Sequence, residues 1–157
     1  MAWSNSKIFM AYLEDVLENT TAMDANADTF KAALYDNDIT PDQTVTSANT
    51  AYNVGQWSAA GNEVTDGTNW DTAGEPLTSV TSTFSSNVYT FDAANTPQSG
   101  ASCTLASVFG CLVYDDTIAT PVADQGVCFN YFGGSQSVTA GTFTIVWNAS
   151  GIFAITA

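Results

Sequence analysis

The stretch SVTAGTFTIVWNASGIFAI, Ser137 to Ile155, decides how this chain reads. Phe143, Ile145 and Trp147 fall on one side of an extended backbone; Thr142, Thr144 and Val146 fall on the other. A period of two in β-branched and aromatic residues predicts a strand with one face against a core. Asn148-Ala149-Ser150-Gly151 follows with turn chemistry: Asn and Ser side chains bond local backbone, and Gly accepts a positive φ. Ile152, Phe153, Ala154 and Ile155 then resume the apolar pattern, so the expectation is a β-hairpin closed by a short loop.

Upstream of this hairpin the same signals recur. Val127 to Phe132 alternates, and Gly133-Gly134 is expected to end that strand. Val108 to Tyr114 is a mostly apolar run suited to a central strand, closed by Asp115-Asp116-Thr117. Leu77 to Phe84 and Val88 to Asp92, joined through Ser85-Ser86-Asn87, predict another hairpin, and Ala93 to Thr104 reads as a linker. Thr29 to Tyr35 reads as a strand with Phe30, Ala32 and Leu34 on one face. Asp36 to Asn49 reads as a surface loop, with short strands at Tyr52 to Trp57 and Asn62 to Thr65. About eight strands at spacings near ten residues predict an antiparallel β-sandwich or barrel-like domain.

The other end of the chain has a different period. Ile8, Phe9, Tyr12, Leu13, Val16 and Leu17 form one apolar stripe, predicting an N-terminal α-helix over Ser4 to Asn19. Lys7 near its start and Glu14, Asp15 and Glu18 toward its end oppose the helix dipole. Such a helix must be held by burying its stripe against its own sheet or a neighbouring chain. The reading is therefore mainly β, a single domain over 1–157, with the helix at 4–19 and the β domain at 29–157.

The net charge is −14, with Lys7 and Lys31 as the two basic residues and no His. Nucleic-acid binding is excluded, because phosphates need cations to release their counterions. Anionic membranes are disfavoured for the same reason. No secretory signal pattern or apolar run long enough to span a bilayer is visible, so the expectation is synthesis in a cytoplasm. Cys103, Cys111 and Cys128 match no zinc spacing and read as reduced core thiols.

Little in the chain offers catalysis. His and Arg are absent, and neither Lys lies beside a Ser or Cys in a nucleophile motif. Asp115-Asp116 is the obvious carboxylate pair, but neighbours on a strand point to opposite faces. Asp24-Ala25-Asn26-Ala27-Asp28 imitates the start of a calcium loop, yet Thr29 stands where Gly is needed and Tyr35 where Glu is needed. Asp36, Asp38 and Asp42 are a further set that could hold a hard cation, with a plain turn as the simpler account. The expectation is no enzyme, no cofactor and no metal. Trp57 and Trp70 sit in loop-like surroundings, where they either anchor those loops or offer a carbohydrate platform. Trp3 precedes the helix, where it either anchors a partner surface or packs back on its own domain.

The segments ADTFKAALYDNDITPD, GNEVTDGTNWDTAGEPL, CLVYDDT and GTFTIVWNASGIFAI, in that order, resemble a family of small structural proteins of tailed bacteriophages. The chain departs from that pattern at Glu75, where a second Gly is usual, and in the longer linker Ala93 to Thr104. The resemblance implies a non-enzymatic virion protein: a capsid decoration (cement) protein on the head exterior. Its partners would be the major capsid protein and itself, as a homotrimer. The alternatives are a tail or head-fibre component and, from another class, a carbohydrate-binding module. Contact is expected from Ala2 to Leu17, with Trp3, Ile8, Phe9 and Tyr12 as the interface side chains, and it is expected to survive high salt.

Overall fold

The structure is a computed structural model that describes residues 3–157. Its elements are β1 (Lys7–Ile8), α1 (Met10–Leu17), β2 (Phe30–Tyr35), a short helix α2 (Ser47–Thr50), a 3-10 turn at Gly55–Trp57, and β3 (Glu75–Pro76). Then come β4 (Thr81–Ser85), β5 (Val88–Asp92), β6 (Thr96–Pro97), β7 (Cys103–Asp115), β8 (Gly126–Gly141), β9 (Thr144–Ile145) and β10 (Phe153–Thr156). They form antiparallel sheets: a five-stranded one in the order β1-β8-β7-β2-β3, a three-stranded one β10-β5-β4, and the pair β6-β9. The expected mainly β, sandwich-like architecture with a helix at the N-terminal end is what the chain adopts.

The five-stranded sheet is covered on both faces, which is why β2 is buried almost throughout. Phe30 faces the three-stranded sheet, where it meets Phe91 edge-on at 5.0 Å and Phe91 stacks on Phe153 at 5.2 Å; Ala32 and Leu34 share its face of β2 and are buried. Tyr35 faces the other way, into an aromatic cluster with Trp57 at 5.0 Å; Trp3, Phe9 and Phe129 complete it. Cys103, Cys111 and Cys128 are free, buried and in strands, as expected of core thiols.

Several boundaries differ from the sequence reading, each for a tertiary reason. The helix begins at Met10, not Ser4, because Lys7 and Ile8 pair with Phe129 and Cys128 of β8, and Phe9 N–H donates to Val127 O at 3.1 Å. Its end matches the reading. Asn19 takes a positive φ of 57°, its N–H donates to Val16 O, and Thr20 N–H donates to Asp15 O, a Schellman closure. Tyr52 to Trp57 is a turn followed by the 3-10 turn rather than a strand, and Asn62 to Thr65 contributes only a bridge from Glu63 to Tyr35. Gly133-Gly134 does not stop β8; their positive φ values of 79° and 153° are absorbed within a ladder whose register shifts along β7. The segment Ala93 to Thr104 is not a plain linker, since it contains β6 and the start of β7.

The largest correction concerns the C-terminal stretch. Its alternation is right: Ile145 is buried and Phe143 and Trp147 half-buried, while Thr142, Thr144 and Val146 are exposed. Its turn chemistry is also right, with Ser150 N–H donating to Asn148 Oδ1 and Gly151 N–H to Asn148 O. The two arms do not pair with each other, however. β9 pairs with β6, β10 pairs with β5, and the turn is a corner that carries the chain from one sheet to another.

Candidate docking surface

Three of the four interface side chains expected from the sequence, Trp3, Phe9 and Tyr12, are core residues of the chain. Trp3 is fully buried: its ring meets Trp57 and Phe129 edge-on, each at 6.1 Å, and its Nε1–H donates to Asp36 O at 2.6 Å. Gly110 of β7 makes room for that ring; a Cβ there would stand 2.6 Å from it. Phe9 is buried against Phe129 at 5.4 Å. Tyr12 is buried with its hydroxyl on Met23 Sδ and is held far from ionisation, first by burial and then by the nearby Asp115. Ile8 is half-buried in β1. Trp3, Phe9 and Tyr12 therefore have no surface left for a partner, and Ala2 lies outside the described residues.

The other candidates resolve similarly. Trp57 and Trp70 are completely buried, whereas a sugar platform needs an exposed ring face, so the carbohydrate reading loses its two residues. Trp70 is seated by Asp66, whose carboxylate accepts the backbone N–H groups of Thr68, Asn69 and Trp70 at 3.1, 2.7 and 2.9 Å. Those bonds hold Asp66 well below the usual carboxylate range. Glu63 acts as a second latch, accepting Tyr52 O–H and Ala73 N–H, each at 2.8 Å; burial raises its pKa. Asp24, Asp36 and Asp42 each accept a backbone N–H two residues on, which makes them turn formers. Among the described residues no group of three or more acidic, Cys or His side chains gathers at one point.

What remains is a surface that the sequence reading touched at one wall. Leu13, Val16 and Leu17 of α1, with Tyr12 and Met23 beneath, form one side of a groove; Tyr89, Phe153 and Ile155 form the other. The groove encloses about 410 Å³ and its lining is almost wholly apolar. The strand register extends it. Phe84 lies opposite Tyr89, and Tyr89 opposite Ile155, so the three side chains form one row across a single face of the three-stranded sheet. Leu17 is 85% exposed, Phe84 72% and Ile155 39%. Contiguous apolar exposure of this kind marks an interaction site more often than scattered single residues do. The helical wall was legible as the tail of the amphipathic stripe. The sheet wall was not, because it exists only once β10 pairs with β5.

No protein-family model, curated protein or solved structure matches the chain.

Proposed function

We propose that the chain is a non-enzymatic structural protein of a tailed-bacteriophage virion, coating the head by binding the major capsid protein from outside. The observation that carries the reading is the exposed apolar surface formed by Leu17 and Ile155 on the two walls of the groove and by Phe84 beside it, on a molecule with a net charge of −14. Burying such side chains contributes roughly 1.5–3 kcal/mol each, against about 0–1 kcal/mol for an exposed ion pair. Contact through this surface resists salt, and repetition around a homotrimer multiplies it. The ordered motifs from ADTFK to GIFAI support the same class.

The test is to mix purified protein with heads lacking it, at low salt and near ~1 M salt where charge is screened, then pellet the heads. Wild type is expected to pellet in both, and Leu17→Glu in neither. Wild type that stays in the supernatant at both salts sinks the head reading. Binding to isolated tails but not to heads transfers the protein to the tail.

A further inference from the structure

The exposed apolar surface does not stop at the rim of the groove. Leu17 is the rim of the helical wall, and Phe84 stands beyond the sheet wall. A small apolar ligand filling the groove would leave Phe84 in water, so the occupant must be long enough to reach from Leu17 across Tyr89 to Phe84. Charge narrows its chemistry further. At helical spacing Glu14 and Glu18 flank Leu17 and, both exposed, form the outer lip. Among the described residues no Lys stands on that lip: Lys31 is paired with Asp116 at 2.8 Å, and Lys7 lines a separate cavity beside β1 with Cys128 and Asn130. A second copy seated in this groove would set its own acidic lip against Glu14 and Glu18. Like-charge juxtaposition of that kind suppresses association, and an anionic bilayer is opposed in the same way.

We propose that the groove seats an apolar segment of a partner protein whose flanks carry Lys or Arg. Its apolar side chains lie between Leu17 and Phe84, and its cations stand over Glu14 and Glu18. The proposal rests on the virion reading and names the part of the capsid partner that is grasped. The apolar contacts hold the complex, while the acidic lip steers encounter and rejects acidic competitors.

The experiment is selection of random displayed peptides on the wild-type protein, with counter-selection on Leu17→Glu, a change at an exposed position that leaves the core intact. Enriched sequences are expected to join several apolar residues to a net positive charge. A synthetic peptide of the winning sequence is expected to bind wild type at least about tenfold more tightly than it binds Leu17→Glu or Phe84→Glu. It is also expected to lose about tenfold when its own Lys and Arg become Glu. Enrichment no better than on Leu17→Glu, or of neutral or acidic sequences, overturns the proposal. So does sedimentation showing that wild type self-associates and Leu17→Glu does not, because the occupant is then a second copy. Head retention with a failed selection keeps the virion reading and discards this occupant; peptide binding without head retention does the reverse.

Discussion

Asp115 carries a carboxylate oxygen that no donor reaches. The residue is fully buried; Oδ1 accepts Thr117 N–H at 2.9 Å and Oδ2 has no partner. Burial raises its pKa to about 6, and the neighbouring Asp28 carboxylate pushes the same way. Tyr12 packs toward it from α1 as a neutral phenol. In the unfolded chain the group ionises near pH ~3.9, so its contribution to stability is full below that value and is lost as pH rises through about 6. The size is on the order of 3 kcal/mol. Asp115→Asn keeps the acceptor for Thr117 and offers an N–H toward Asp28. Thermal melts are expected to place it above wild type near pH ~8 and level with it near pH ~3; a difference independent of pH would refute the assignment. Trp3 makes the second prediction at this scale. Trp3→Ala should lower unfolding free energy by about 3–5 kcal/mol in denaturant titration, because its ring is core. A change within error would return Trp3 to the surface.

At the scale of elements, local signals were legible and partners were not. The β4–β5 hairpin reads directly from its sequence because its strands are adjacent and its turn, Ser86-Asn87, takes φ values of 50° and 65°. Both lie in the left-handed region that a tight type I′ hairpin needs, and Asn tolerates it. Asn87→Val is therefore expected to cost about 1–2 kcal/mol, measured by chemical unfolding; no loss would mean that the turn adopts another form. The end of α1 was legible for the same local reason, through Asn19. Its start was not, since Lys7 and Ile8 are drawn into the sheet by β8, a partner far along the chain. The C-terminal stretch divides in the same way. Its alternation fixes which side chains face inward, but alternation is silent about which strand supplies the hydrogen bonds. Hence Phe143 and Ile145 were placed on the right side of the wrong pairing. The groove inherits this split, with Leu13, Val16 and Leu17 visible as a stripe and Tyr89 and Ile155 joined only by the β10–β5 register.

For the molecule as a whole, charge and topology set the behaviour. A net charge of −14 with one ion pair among the described residues, Lys31 to Asp116, leaves repulsion largely uncompensated. Raising salt from about 0.02 to about 0.3 M should therefore raise the melting temperature through screening; a fall would mean that attractive pairs dominate. Amide exchange is expected to be slowest in β2 and the paired halves of β7 and β8, which are buried, and fastest in β4 and β10 at the edges. The topology of the large sheet also has a consequence in time. Ile8 must find Cys128 before β1 has a neighbour, and Phe30 must find Asp115 before β2 is paired along its length. Closing loops of that size is entropically costly and is rewarded late, which places folding in the millisecond-to-second range, observable by stopped-flow tryptophan emission. Through that delay Phe9, Phe30 and Leu34 are without their cover. The excess of carboxylates then serves the nascent molecule as much as the finished one, keeping half-folded copies apart until β7 and β8 arrive.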